Sequence, residues 1–276
     1  MSDIAISAST RTALLTIQRT TALADTKREN LATGLRVNSP VDNPSAFFTA
    51  RSLSNRANDL LAVKDNIGQS ASALGSTFAG IDALGKTVDQ LKAVLEDARG
   101  GTAADRAAAV AQFEALRGQL DTLSDDASFS GTALLGANPD NLTVVLNEDG
   151  SSTLTLEGVA SDAASLGIDP AASGFNNFAT DADIDAALAK LAAATDTLRA
   201  TEATFGTDAN LLRIREDFTE KLANSLQGGA STLIDADLTQ EAAELLSLNV
   251  SARLGIISLN LSTQNQRAIL QLFQGP

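Results

Sequence analysis

Cysteine, histidine and tryptophan are absent from the 276 residues. Zinc and thiolate sites, cysteine nucleophiles and every Ser-His-Asp or Cys-His arrangement are thereby excluded. Carboxylate chemistry remains open, but the commonest proton-transfer side chain is missing; no enzyme, cofactor or metal centre is expected. Basic residues are in the minority, 20 Lys and Arg against 34 Asp and Glu, a net charge of −14. Such a field repels phosphate backbones, so nucleic acid is not an expected partner. No apolar run approaches the roughly 18 uninterrupted positions that span a bilayer. Without Trp or Lys-rich helix faces, no membrane partner is expected either. Residues 1–10 lack both a basic start and an apolar run, so no ordinary cleaved signal peptide is expected.

At 276 residues the chain is long enough for one or two domains with a sizeable core. Its ends look alike. Over about 14–35 a stripe runs Leu14, Ile17, Thr21, Ala24, Leu31 and Leu35. Over about 238–273 another runs Leu245, Asn249, Ala252, Ile256, Leu259, Leu270 and Phe273. Steps alternating three and four place each set on one side of a helix, where it needs an apolar partner. Both ends hold few aromatics and many Ala, Ser, Thr and Asn. A pair of such helices is marginal in isolation. Two readings stay open at this point: the ends close an ordinary helical bundle, or they pack on copies of the same chain.

The middle is more regular. Leu53, Leu60, Ile67, Leu74, Ile81, Val88 and Leu95 recur every seven residues, with Ala57, Ala71 and Phe78 between them. This predicts a helix over about 44–99 in a bundle or coiled-coil seam. Asn43 can cap it, Pro44 suits its first position, and Gly100-Gly101 stops it. Thr102 with Asp105 forms a capping box for a second helix over about 103–128, bearing Ala109, Phe113, Leu116, Leu120 and Leu123 on one face. A third, over about 181–227, carries Ile184, Leu191, Leu198, Phe205 and Leu212. Leu211, Phe218 and Leu222 continue its stripe in shifted phase until Gly228-Gly229 breaks it, and Asp237 with Gln240 opens the C-terminal helix. Strand signals are confined to about 141–157, where alternating Leu142, Val144 and Leu146 precede an Asn147-Glu148-Asp149-Gly150 turn and Leu154 and Leu156 follow it. Residues 158–180, rich in Ala, Ser, Gly and Asp, read as an irregular loop. The expected fold is mainly α, a long antiparallel helical bundle or coiled coil formed by the N- and C-terminal segments, with one small β-hairpin.

Two patterns that could hold a ligand are weak. Asp181, Asp183 and Asp185 imitate the opening of a calcium loop, but Ala186 and Ala192 stand where that loop needs Gly and Glu. Acidic residues favouring a helix N-terminus, with Thr180 as cap, is the better reading. Gly75, Gly80 and Gly85 follow no strand and make no phosphate-binding fingerprint; they suit close packing or bending of a helix. Arg11, Arg19, Lys27, Arg28 and Arg36 bias the N-terminal segment positive. They form either a solvated face or a surface that pairs with Asp235, Asp237, Glu241 and Glu244, guiding register more than supplying affinity.

Three segments carry a resemblance. The first is Thr33-Gly34-Leu35-Arg36-Val37-Asn38-Ser39, followed by Asp42-Asn43. The second is Phe129-Ser130-Gly131-Thr132, ahead of Leu134-Leu135. The third is Leu233-Ile234-Asp235-Ala236-Asp237-Leu238 with Glu241 and Glu244, leading to Gln264, Gln266 and Leu270-Gln271-Leu272. In this order, on a helix–hairpin–helix plan, they resemble bacterial flagellin. The matching features of that family are its Ser-Gly-Leu-Arg-Ile-Asn-Ser signature, its Phe-Asn-Gly turn, and its Arg-Ile-Glu-Asp-Ser-Asp segment with a Gln-rich, Leu-ending tail. Pro40 and Pro44 depart from the family's Ala-Lys-Asp-Asp-Ala-Ala-Gly segment. Gln90-Leu91-Lys92-Ala93-Val94 replaces the Arg-Val-Arg-Glu-Leu-like patch read by the innate immune receptor, so that recognition is not implied. The closing Leu272-Phe273-Gln274-Gly275-Pro276 resembles a protease site, and the tail past Phe273 is not read as part of the fold.

The resemblance covers about 1–158 and 181–273 and implies a core-only form, because 158–180 is too short for inserted surface domains. It implies an inner-core domain of 1–43 with 235–276 and an outer-core domain of 44–234. The implied function is a secreted structural subunit that self-assembles into the extracellular flagellar filament for swimming motility. Its self-assembly interface would comprise Leu14, Ile17, Leu31, Leu35, Arg36, Asn38, Leu245, Ala252, Ile256, Leu259, Leu270 and Phe273. Implied partners are other copies, the flagellar export apparatus, a secretion chaperone, and the filament cap and hook-associated proteins. A hook–filament junction protein, with the same terminal architecture, is the alternative.

Overall fold

The computed structural model describes residues 8–273, with the side chains of Ser9, Gln266 and residues 269–273 outside that description. The expectations for the chain start and for the tail past Phe273 lie outside it too. The elements run α1 (Ala8–Thr33), α2 (Pro44–Ala98), α3 (Ala103–Asp126), β1 (Ser128–Phe129), β2 (Thr132–Ala133), β3 (Leu142–Val145), β4 (Thr153–Leu156), α4 (Ala171–Gly174), α5 (Asp181–Ile234) and α6 (Leu238–Phe273). The chain divides into two compact units. One takes the residues up to Asn55 and from Ser225 onward, and the other is Arg56–Asn224.

The Arg56–Asn224 unit holds the larger core. Buried positions of α2 step by three and four through Leu60, Val63, Ile67, Ser70, Leu74, Thr77, Ile81, Leu84, Val88, Leu91 and Leu95. α5 answers with Ile184, Ala187, Leu191, Ala194, Leu198, Phe205 and Leu212. From Leu60 onward the second buried residue of each α2 heptad therefore lies three positions after the first, not four, whereas Ala57, four after Leu53, is buried as expected. That is why Leu84 and Leu91, unmarked by the seven-residue count, are fully buried. α3 contributes Phe113 and Leu120, and the hairpin contributes Val144 and Leu156. β3 and β4 pair antiparallel, with Leu142 opposite Leu156 and Val144 opposite Leu154.

Local chemistry sets the boundaries. Ala46 N donates to Asn43 Oδ1 at 3.1 Å, and α2 begins at Pro44, whose missing N–H costs nothing there. Thr102 and Asp105 form the full capping box, Asp105 Oδ2 accepting from Thr102 N at 2.8 Å. Those Thr102 bonds hold the Asp105 carboxyl below the usual range. Thr180 and Asp183 repeat the device at the start of α5. Asp181 accepts from Arg106 Nη2 at 2.6 Å and Gly100 N at 3.1 Å. Asp183 thus serves the helix start, Asp181 and Asp185 pair with Arg106 and Arg99, and no cluster suited to a metal ion occurs among the described residues. Gly80 fulfils the close-packing reading, since an added Cβ would sit 2.5 Å from Ala127 Cβ.

Four expectations need correction. α5 does not break at Gly228-Gly229 but runs to Ile234. Two glycines cost roughly 1 kcal/mol each in a helix interior, and packing outweighs that where Ala230 is buried and Leu53 lies over Gly229. The α5 seam does not shift phase: Leu212, Thr219, Ala223 and Ala230 stay buried, while Leu211 and Phe218 are exposed. The hairpin is not alone, because β1 and β2 pair through Ser130-Gly131, both at positive φ (50° and 86°), as a tight hairpin turn requires. Residues 158–180 are not simply irregular. They hold α4 and a single turn at Asn176–Phe178, whose three residues have φ of 47°, 52° and 55°. L-residues resist that left-handed geometry, at about 1–2 kcal/mol each. The turn persists because it drives Phe178 into the core, its ring centroid 5.2 Å from that of Phe113.

Candidate self-assembly surface

In the unit formed by the two ends, α1 stops at Gly34, whose φ of 74° lets its N–H reach back to Asn30 O at 2.8 Å. The next residues pair with the segment after α5. Leu35 bridges Asp235, the N–H groups of Arg36 and Val37 donate to Ile234 O at 2.7 and 3.2 Å, and Ala236 N donates to Gly34 O at 2.9 Å. Arg36 Nη2 adds a bond to Leu233 O at 3.1 Å. Two of the three family-like segments therefore meet, although the sequence separates them by 197 positions. Asn38 Nδ2 donates to Leu35 O, and the Asp42 carboxylate accepts from Ser39 N (2.8 Å), Ser39 Oγ (3.0 Å) and Asn38 N (3.1 Å). The Ser39 and Asn38 bonds hold the Asp42 carboxyl below its usual range.

α1 and α6 meet through a mixture of small, apolar and charged side chains. The less accessible positions of α1 run Ala13, Ile17, Thr20, Ala24, Lys27 and Asn30. On α6 they include Glu241, Leu245, Leu248, Ala252, Gly255 and Leu259. A Cβ added at Gly255 would stand 3.0 Å from Ile17 Cγ1, so the two backbones approach closely there.

Charge fixes the register. Lys27 Nζ lies 3.0 Å from Glu241 Oε2 and 2.7 Å from Glu244 Oε2. Glu241 is only 5% exposed, and its Oε2 has no hydrogen-bond partner, so the ammonium charge alone compensates that oxygen. Hydrogen bonds to Glu244 and then Glu241 raise the Lys27 pKa, and those from Lys27 and then Gln240 lower that of Glu244. A raised lysine stabilises until pH climbs through its raised value, and a lowered carboxylate until pH falls through its lowered value. Amide-exchange protection of α1 and α6 is thus expected to hold between the ordinary glutamate and lysine ranges and to fall on either side. Lys27→Met would strand a buried charge, at about 1–3 kcal/mol, so protection should drop about tenfold or more, with partial return in Lys27→Met/Glu241→Gln. Unchanged protection would refute the charge lock.

This pairing leaves many of the large apolar side chains outside. Leu14, Leu15, Leu23 and Leu31 are exposed on α1, as are Leu246, Val250, Leu254, Ile256, Ile257 and Leu261 on α6. Leu254 is 61% and Ile257 62% exposed. By length and composition alone Leu238–Asn265 is apolar enough to cross a membrane, a property that counting uninterrupted apolar residues did not register.

Of the residues expected at an interface, Ile17, Leu245, Ala252 and Leu259 lie half-buried between the helices, and Leu35 and Asn38 lie half-buried at the bridge. Leu14, Leu31, Arg36 and Ile256 are exposed. The side chains of Leu270 and Phe273 lie outside the described residues. Missed entirely were Gly255, Asn30 and the six-residue outer face of α6 apart from Ile256. A search for small residues at three- and four-residue spacing would have found Gly255.

A family model described as the bacterial flagellin N-terminal helical region matches residues 4–139. The flagellin of Brucella melitensis biotype 1 is 28% identical over 284 aligned residues, covering 100% of both chains. Flagellin FljK of Caulobacter vibrioides is 30% identical over 280 residues, 99% of each chain. Among solved structures, a protein described as a flagellar hook-associated protein from Vibrio parahaemolyticus matches with a TM-score of 0.60 at 14% identity, over 70% of this chain and 100% of that one. At that identity the likeness is one of fold.

Proposed function

Because the chain belongs to the bacterial flagellin family and is a structural subunit of the flagellar filament, we propose that its paired ends build the inner tube of that filament. In this reading 1–43 and 235–276 are the inner-core domain and 44–234 is the outer core. The observation that carries it is the pair of bare apolar faces on α1 and α6. Contiguous exposed apolar faces on a protein surface mark interaction sites. The two faces differ in sequence, so a contact from one copy's α6 to the next copy's α1 is heterologous, and a heterologous contact that does not close builds an open helical polymer. The interface proposed is therefore the outer face of each helix, with Leu14, Leu31 and Ile256 in contact with neighbours. Ile17, Ala252 and Leu259 hold the pair together, while Leu35, Arg36 and Asn38 fix its base.

The relatives aligned along the whole chain are flagellins, which favours the filament over a hook–filament junction. Flagellins form an extracellular filament, so the subunit is proposed to leave the cell through the flagellar export apparatus with a chaperone. It would meet cap and hook-associated proteins at the filament ends. Joint replacement of Leu246, Val250 and Leu254 by Gln keeps helix propensity but removes the face. We expect the Arg56–Asn224 unit to melt unchanged and electron micrographs to show no filaments under conditions where the parent chain forms them. Filaments of normal length and number would sink the reading.

A further inference from the structure

β3 leaves one edge open. Leu146 N donates to Ser152 O at 2.8 Å, and the register sets Val144 opposite Leu154 and Leu142 opposite Leu156. Antiparallel pairs alternate between bonded and unbonded, so Leu142, Val144 and Leu146 direct their backbone groups to β4. Thr143 and Val145 direct theirs the other way, where no backbone partner occurs among the described residues. That edge opens into a groove of about 310 Å³, lined by all four residues of β3 and by none of β4. Across from β3 lies α2 with the side-chain amides of Asn66 and Gln69, and Phe129 and Thr132 complete the lining. Asn66 and Gln69 are both exposed. No charged side chain lines the groove, although 20% of the chain is charged. Edge strands are ordinarily blunted by lysine, proline or a bulge. Leu142-Thr143-Val144-Val145 has none of these.

We propose that the β3 edge is a docking site for an extended, uncharged segment of a different protein, which joins the hairpin as a third strand. Backbone pairing selects the extended form, because a strand offers donors and acceptors in the alternation that Thr143 and Val145 present. On its other edge the segment meets the Asn66 and Gln69 amides, each able to give and to accept a bond. The uncharged lining sets the composition: an ionised side chain would lose water there without gaining a counter-charge. Phe129 and Ala73 supply apolar area for every second side chain, which suits small or β-branched residues. A second copy offers no unpaired strand among the described residues, since its strands pair with one another. The site is separate from the paired ends and does not depend on the filament reading.

The probe is acetyl-Ser-Val-Thr-Val-Ser-amide, added to the dilute full-length chain and read by NMR of the backbone amides. The Thr143 and Val145 amides should shift and exchange more slowly, while Val144, already bonded to β4, keeps its exchange rate. The fully N-methylated peptide retains the side chains but no backbone donor. It should bind about tenfold or more weakly, the loss of two hydrogen bonds. Asn66→Ala/Gln69→Ala should weaken the unmodified peptide about threefold or more with melting unchanged. Unmoved Thr143 and Val145 amides, equal binding of the N-methylated peptide, or full binding by the double variant would overturn the proposal. Maltotriose moving these amides while the peptide leaves them unmoved would assign the groove to a sugar and overturn it too. Each of those results leaves the filament reading standing, because none involves α1 or α6.

Discussion

Gly255→Leu is expected to abolish filaments while leaving the Arg56–Asn224 unit folded. A methyl group at Gly255 already meets Ile17 Cγ1 at 3.0 Å, and neighbouring positions of α6 are half-buried against α1. A leucine there cannot fit without driving the helices apart. Overpacking costs typically about 1–3 kcal/mol, and a two-helix pair of modest apolar content has little more than that to lose. Splaying also moves the outer faces of α1 and α6, so each subunit would present the wrong surface to its neighbour. The Arg56–Asn224 core shares none of these contacts, and effects at distant sites add independently. Its melting should match the parent. Electron microscopy with a parallel melt reads both quantities, and normal filaments from Gly255→Leu would disprove the close α1–α6 contact.

Phe113→Ala should be the most destabilising single truncation in the outer unit. Phe113 is fully buried, with edge-on rings at centroid distances of 5.2 Å (Phe178) and 6.2 Å (Phe175). Phe-to-Ala changes in cores cost about 3–5 kcal/mol. Here there is a further consequence, because Phe113 receives the ring of the strained Asn176–Phe178 turn. Without it, the left-handed φ values lose their compensation and 158–180 should loosen. We expect a fall in melting temperature of roughly 10 °C and new proteolytic cleavage within 158–180. A loss below about 1 kcal/mol, or continued protection of the loop, would show that the three rings do not hold it.

Much of the scaffold was legible in advance, for a physical reason. The starts of α2, α3 and α5 depend on Asn43, Thr102 with Asp105, and Thr180 with Asp183, residues that satisfy backbone groups within one turn. The Asp149-Gly150 turn and the seven-residue recurrence from Leu60 to Leu95 are equally local. Less legible was which face of α1 pairs. Its largest side chains, Leu14, Leu23 and Leu31, point outward, while Ala24 and Asn30 are buried. An apolar stripe reveals that a face seeks a partner but not which partner fills it.

By itself, then, the sequence determined the long helices, several of their caps, the acidic charge, the lack of cysteine and histidine, and the family resemblance at Gly34–Ser39. The tertiary structure alone decided that Leu35 meets Asp235 and that Lys27 is clamped between Glu241 and Glu244. It also decided that Gly255 admits Ile17 and that Phe178 accepts a left-handed backbone. Those outcomes depend on how closely two distant surfaces approach. Gly255 lets the two backbones come near, while Leu14, Leu23, Leu31, Leu246 and Leu254 are left exposed on the other sides of the two helices.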